Sequence, residues 1–404
     1  MNPAVQSGYL ILQVIAWIVL LLSTLYIFVF AFAGLFYRQR PYANNPTQRK
    51  IAVLIPGYKE DDVIIEVAKD ALNQDYPQNL YDVVIIADSF QEETLQKLKQ
   101  LPVKVIEVKF DKSTKSKALN RAMEQLTSKY DLAVVLDADN LMATDFLNKI
   151  NASFETGIMA VQGHRAAKNM DTSLAILDAV SEEINNHIFR KGHRVLGLSS
   201  AIIGSGMAFK YDFFKEMMAT VTAIGGFDKE IELKMLKNRH KIGYLDDALV
   251  YDEKVQKAEV FSNQRRRWLS AQLHYFRKDI GSAVIALITK GNIDYFDKAI
   301  QFIQPPRILL LGAVTMTSVL FLLINFYFSI EHIYSLLWIL ILGLCYMAFF
   351  VSIPRSFYNT GTLKALGSLP KGMLLMLGSL LKIRGANKQF IHTKHSAVKS
   401  PPKQ

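Results

Sequence analysis

Three stretches of this chain run without a charged side chain for longer than a soluble helix ordinarily does: residues 10–36, 308–330 and 333–353. A helix needs about 20 apolar residues to cross the hydrocarbon core of a bilayer, so each stretch is predicted to span a membrane. A long buried helix is the alternative for any one of them, but three in one chain argue against it. Only Glu331 and His332 separate the second stretch from the third, which predicts a tight helical hairpin. The first is too long for a signal-peptide core and has no basic start.

The polar flanks orient these spans. Arg38, Arg40, Arg49 and Lys50 follow the first, Arg307 precedes the second, and Arg355 and Lys364 follow the third. The positive-inside rule then places residues 38–307 and the C-terminal tail in the cytosol. Two further stretches mix apolar and polar positions and are predicted to lie on the inner leaflet. One is 281–303, with Lys290, Asp294, Asp297 and Lys298; the other is 368–383, for which a short or re-entrant span is the alternative. The tail 400–404 is expected to be disordered. The resulting organisation is an N-terminal span (1–37), a cytosolic domain (38–275), interfacial helices (276–306), a transmembrane hairpin (307–353) and an interfacial helix with a basic tail (354–404).

Within the cytosolic part the period changes. Apolar β-rich runs at 51–55, 83–87, 103–108 and 132–136 alternate with helical patterns at 61–74, 91–100 and 115–128. Such alternation predicts an α/β domain with a mostly parallel, Rossmann-like sheet and helices on both faces. Ligands of these sheets bind beyond the carboxyl ends of the strands, where Glu60, Asp88 and Asp137 fall.

Composition narrows the chemistry. The net charge of +11 admits anionic lipids or phosphorylated substrates; nucleic acid is not expected, because the basic residues are dispersed and flank apolar spans. The single Cys345 excludes an intrachain disulfide and a cysteine-cluster metal site, and the eight histidines lack zinc-ligand spacing.

Candidate reactive groups then stand out. Asp137-Ala138-Asp139 offers two oxygen ligands suited to Mg²⁺ or Mn²⁺, although for the triplet taken alone an ordinary Asp-rich loop is the favoured reading. Gln264, Arg267 and Trp268 share one helical face carrying an amide, a guanidinium and a flat ring. Such a face suits a diphosphate and a sugar. Arg265 and Arg266 fit anionic lipid head groups as well. Asp228 follows Gly225-Gly226 and is a candidate general base; the alternative role is a helix N-cap. Glu230 is the second candidate, and Glu232 is expected to pair with Lys229 or face solvent. Gly204-Ser205-Gly206 is a flexible turn, and Lys115 and Lys117 open a helix near Asn120.

In order and spacing these pieces resemble a membrane-embedded family 2 glycosyltransferase of the cellulose- or hyaluronan-synthase kind. The resemblance runs over residues 48–275 and the flanking spans. It rests on residues 55–60 (Ile-Pro-Gly-Tyr-Lys-Glu), 86–89 (Ile-Ala-Asp-Ser) and 115–120, and on the Asp137, Gly204, Asp228 and Gln264 motifs. It implies a GT-A fold and inverting transfer from a nucleotide sugar, usually a UDP-sugar, to a growing β-linked polysaccharide at the cytosolic face of a bacterial inner membrane. By this resemblance Pro56, Tyr58, Glu60 and Asp88 hold the nucleoside, and Lys115 lies near the diphosphate. Asp137 helps bind the nucleotide and, with Asp139, the metal. Asp228 acts as base, Gly204, Ser205 and Gly206 line the acceptor side, and Gln264, Arg267 and Trp268 hold the diphosphate and the acceptor end.

Departures from the family pattern are Lys59, where asparagine is commoner, and Phe227, where a second carboxylate is frequent. Phe390, His392, Thr393 and His395 resemble a gating loop in which two positions have changed. Three spans are few for a complete sugar channel, so an oligomer or an export partner is a further expectation. Transfer of a single sugar to a lipid acceptor is the nearest alternative. A transporter subunit and an inactive nucleotide-binding scaffold are the readings from other classes.

Overall fold

The computed structural model describes residues 2–126, 129–223 and 225–383. The segment holding Phe390, His392, Thr393 and His395, and the tail 400–404, lie outside the described residues. Helix α1 (Pro3–Gly34) opens the chain, capped by the Asn2 side chain, which accepts the Ala4 N–H at 3.0 Å. Then come β1 (Ile51–Tyr58), α2 (Ile64–Ala71), β2 (Tyr81–Asp88), α3 (Glu92–Lys99), β3 (Lys104–Val108), α4 (Lys115–Gln125) and β4 (Leu132–Val135). Each of these strands and helices falls where the hydrophobic pattern places one.

The chain continues through β5 (Leu141–Met142), α5 (Phe146–Ser153), β6 (Ala160–Ala167) and α6 (Ser173–Asn185). A π-helical stretch, Asn186–Gly192, joins α6 to α7 (His193–Val195). Next are β7 (Met207–Lys210), α8 (Tyr211–Ala219), α9 (Phe227–Lys237) and β8 (Ile242–Asp252).

The eight strands form one sheet in the order β3-β2-β1-β4-β7-β6-β8-β5. Strands β3, β2, β1 and β4 are parallel, and β1 runs in step with β2 from Ile51↔Tyr81 to Tyr58↔Asp88. Their carboxyl ends therefore finish level. Strand β7 enters antiparallel to both β4 and β6, with Val135 opposite Met207. That reversal sets the turn before β7 beside the turn after β4, and it builds the site. Two apolar layers clamp the sheet, one gathered around Leu54, Val135 and Phe209 and the other around Val53, Ile85 and Val134.

The remaining helices are α10 (Ala258–Lys290), α11 (Ile293–Ile303), α12 (Arg307–Tyr327), α13 (His332–Ser352), α14 (Thr360–Leu366) and α15 (Leu369–Leu381). Among the described residues α1, α12 and α13 are the three helices long and apolar enough to cross a membrane. They pack around Ile27, Val314, Trp338, Ile341 and Ala348, all at most 2% exposed. Polar side chains also lie inside this bundle: Tyr9 donates to Asn325 at 2.6 Å, and Gln13 accepts from Trp338 Nε1 at 3.3 Å.

The polar positions of α11, within 281–303, are not a wet face, as the structure shows. The segment 281–290 continues α10, and α11 turns its charges inward: Asp294, Asp297 and Lys298 are at most 8% exposed. Their partners are protein groups, which makes burial of three charges tolerable. Helix α15 packs on α10 and α12, with Ser379 donating to the Ser262 carbonyl at 3.2 Å and Met373 against Gly312.

Candidate active site

Strands β1 and β2 end in two residues with left-handed backbone. Lys59 has φ 54° and Ser89 φ 61°. The Lys59 N–H donates to the Asp88 carbonyl at 3.1 Å, and Ser89 Oγ donates to Asp88 Oδ1 at 2.9 Å. Non-glycine residues in this conformation cost energy and persist where the surroundings enforce them. Here they turn both chains away at the same level. Asp88 and Glu60 stay buried there, at 2% and 6% exposure, on the sheet edge that also carries Pro56 and Tyr58.

The Asp137 turn lies one strand away. Its backbone N–H donates to Asn140 Oδ1 and to Ser205 Oγ, both at 3.1 Å. Ser205 Oγ is itself hydrogen-bonded to Asn140 Oδ1. Ser205 is fully buried, so its side chain serves this turn. Asp139 is 5% exposed and doubly oriented: Oδ1 accepts from Asn140 at 3.2 Å and Oδ2 from the Glu253 N–H at 3.0 Å. Lys168 Nζ donates to the Asp139 carbonyl at 3.2 Å. Burial holds the Lys168 ammonium below its usual pKa against the pull of Asp139 and its acidic neighbours.

Lys115 links the turns. The Thr114 side chain caps α4 by accepting the Lys117 N–H at 3.2 Å, which puts Lys115 in the first turn of the helix. Its Nζ reaches Asp137 Oδ1 at 2.5 Å and the Gly204 carbonyl at 2.7 Å. Gly204 has φ +78°, and a Cβ there would stand 3.6 Å from the Cβ of Asp228. Lys115, Asp137, Gly204 and Asp228 are thus neighbours, although 91 positions separate Asp137 from Asp228.

Asp228 is not the N-cap of α9. That position is Gly226, with φ 72°, and Asp228 sits in the first helical turn, where the helix dipole favours negative charge. It is 8% exposed, with Lys229 Nζ at 3.5 Å. Glu230 points elsewhere: it pairs with Lys234 at 2.7 Å and lies within 3.5 Å of the Tyr275 hydroxyl. Burial, then Glu230 and Asp228, push the Tyr275 phenol far above its ordinary range. Glu232 neither pairs with Lys229 nor faces solvent; it is 2% exposed and bound to Lys298 at 2.7 Å.

Helix α10 supplies the opposite wall. Burial lowers the Arg267 guanidinium's pKa, and the charge of Asp137 works against that shift. Trp268 presents a ring that is 37% exposed. Gln264 Oε1 is buried without a hydrogen-bond partner among the described residues. Arg265 is corrected as a lipid ligand: it is ion-paired with Asp178 and stacks on Trp268 with its Cζ 4.5 Å from the ring centroid.

Behind the turn lies a buried network with no counterpart among the predicted residues. Arg165 of β6 pairs with Asp252 at the end of β8, and Lys254 binds the other carboxylate oxygen at 2.7 Å. Glu182 is 9% exposed. Burial alone would raise its pKa, but Lys254, Arg165, Arg190 and Arg307 outweigh that and bring it to about 2. A sequence signal existed for Asp252: like Asp88 and Asp137, it is the acidic end of a strand.

The oxygen-only pair Asp137 and Asp139 fits a hard dication, and Asp139 is held in one orientation for it. Among the described residues no third His, Cys, Asp or Glu joins them as a metal cluster. The remaining positions of such an ion would fall to water and substrate phosphate.

A parallel half-sheet with carboxylates at its strand ends, an Asp-x-Asp turn and a basic aromatic helix opposite defines a GT-A-like glycosyltransferase architecture. The chain matches the family described as "Glycosyltransferase like family 2" over residues 47–271, more than half of its length, and belongs to that family. A beta-monoglucosyldiacylglycerol synthase from Nostoc sp. is 24% identical over 282 residues, 65% of this chain and 58% of that protein. A hyaluronan synthase from Streptococcus pyogenes is 25% identical over 150 residues, 35% of each chain. The chain therefore spans less than two thirds of the length of the curated relatives it matches. A mannosyltransferase from Pyrobaculum calidifontis, solved with GDP-Man and Mn²⁺, shares the fold with a TM-score of 0.51 at 17% identity, over 83% of this chain and 96% of that one.

Proposed function

We propose that this protein transfers a sugar, with inversion, from a UDP-sugar to an acceptor presented at the cytosolic face of a bacterial inner membrane. The observation that carries the reading is the convergence of Asp228, Gly204, Lys115 and Asp137 on one edge of the sheet. The acceptor hydroxyl attacks the anomeric carbon from the side opposite the diphosphate, and Asp228 takes its proton. Arg267 and Lys115 stabilise charge on the departing diphosphate. Pro56, Tyr58, Glu60 and Asp88 hold the nucleoside. Asp137 and Asp139 would hold Mg²⁺ or Mn²⁺, which when bound adds positive charge beside the leaving group. The backbone of Gly204, Ser205 and Gly206 faces the acceptor, with Gln264 and Trp268 beside it.

Two acceptor readings differ in what supports them. The packed interior of α1, α12 and α13, filled by side chains, favours a single sugar added to a membrane lipid. The longer match to the glucosyldiacylglycerol synthase points the same way. The exposed Trp268 ring next to Gln264 supports elongation of a β-linked polysaccharide, with a homo-oligomer or export partner supplying the exit.

The test uses membrane vesicles containing the full chain, a panel of labelled UDP-sugars and Mg²⁺ or Mn²⁺. One sugar per lipid-extractable product supports the lipid reading, and a ladder of products supports elongation. Undiminished product from Asp228→Asn would overturn the assignment of the base.

A further inference from the structure

We propose that Lys298 is a positioning residue for Asp228, acting through Glu232; the proposal rests on the reading of Asp228 as the base. Asp228 and Glu232 lie four residues apart on α9, one turn from each other on the same face. Glu232 is 2% exposed and Lys298 3% exposed, with Nζ 2.7 Å from Oε1. The other charged groups of α9 near this pair are Asp228 and Lys229, and α11 contributes Lys298. Burial pushes the Glu232 carboxyl up, Lys298 opposes that, and the Asp228 charge adds to it. Lys298 is therefore the cation in contact with the acid beneath the base, with Lys229 a smaller influence.

A single buried pair could be ordinary packing. What sets this one apart is the anchorage of its lysine. Its neighbour Asp297 accepts the Tyr26 hydroxyl of α1 at 2.8 Å and lies 3.2 Å from His193 Nε2. One turn earlier, Asp294 accepts the Ser199 N–H and hydroxyl, both at 2.8 Å, and meets Lys241 at 2.6 Å. Adjacent residues of α11 thus grip a membrane-length helix on one side and the base-bearing helix on the other. Two charged atoms 2.7 Å apart in a buried site tolerate little sliding, so the depth of the first turn of α9 is tied to α1. The Lys298–Glu232 pair fixes where the Asp228 carboxylate meets the acceptor.

The test compares Lys298→Arg, the paired apolar replacement Glu232→Met with Lys298→Met, and Asp228→Asn, all in the full chain in membranes. The apolar pair leaves no buried charge unpartnered and so keeps the fold. Expected is a fall in kcat of about 10- to 100-fold for the apolar pair, because a small misplacement of a reacting group costs that much. KM for the UDP-sugar and the binding of UDP should stay within about twofold, and Lys298→Arg should keep most of kcat. In the Asp228→Asn background the apolar pair should cost nothing further, since both act on one step. Wild-type kcat in the apolar pair, loss of UDP binding along with kcat, or fully additive effects would each overturn the proposal. Full activity in Asp228→Asn alone overturns the reading of the base instead.

Discussion

The ammonium of Lys115 lies 2.5 Å from Oδ1 of Asp137, with the Gly204 carbonyl at 2.7 Å and the Leu136 carbonyl at 3.3 Å. On the proposed reading, this lysine also meets the diphosphate of the donor. Lys115→Met should raise KM for the nucleotide sugar by about 10- to 100-fold, the worth of one hydrogen bond to a charged group. Steady-state kinetics on membranes will show it, with the thermal unfolding midpoint as the control for folding.

Asp139 has a stricter task, since both of its oxygens are already oriented by Asn140 and Glu253. Asp139→Asn keeps the size of the side chain and removes its charge. Transfer should fall by roughly 100-fold or more, in line with several kcal/mol of lost charge stabilisation. Raising Mn²⁺ should recover part of the activity if the defect is in metal affinity. Titrating both proteins with Mn²⁺ at saturating donor measures this.

Gly192 lies in the π-helical stretch against α1. A Cβ on it would fall on the carbonyl oxygen of Phe30, a backbone atom that cannot swing away. Gly192→Ala should cost about 1–3 kcal/mol or more through overpacking. It should loosen α1 from the catalytic domain while leaving the sheet intact. Limited proteolysis after residue 34, compared with UDP binding, separates the two effects.

His164 gives a pH prediction. Burial alone would lower its pKa, but Glu183 at 2.9 Å and Asp246 at 3.1 Å outweigh that and raise it to about 9. The folded pKa lies above the ordinary value near 6.5, so the stabilisation is complete below about pH 6.5 and is lost as pH rises through about 9. The full effect is on the order of 3 kcal/mol. Denaturation midpoints from pH 6 to 9.5 should fall for the wild type and stay flatter for His164→Gln.

Much of this was readable in the amino-acid sequence, for identifiable reasons. Strands β1, β2 and β4 are mostly continuous apolar runs because both faces of an interior parallel strand are covered, and such runs stop at polar turns. That is how Asp88 and Asp137 announced themselves. Strand β6 hid because it carries Gln162, His164 and Arg165 in its interior, where buried partners replace the apolar pattern. Helix α11 misled for a related reason. Asp294, Asp297 and Lys298 look like a wet face until Ser199, Tyr26 and Glu232 are found opposite them, and those partners are remote in sequence. Position on α9 separated Asp228 from Glu230 only once Tyr275 and Lys234 could be seen around the latter.

The short strand β7 sets a tolerance on all of this. It has four residues and runs against β4, so the Gly204 turn and the Asp137 turn reach the site from opposite ends of the chain's path. A slip of one residue in β7 would carry Gly204 along by about 3.4 Å and turn Ser205 to the other face, while Asp137 stayed where it is. Lys115 could then no longer touch both. The alignment of the Gly204 and Asp137 turns therefore depends on the pairing of four residues that belong to neither turn.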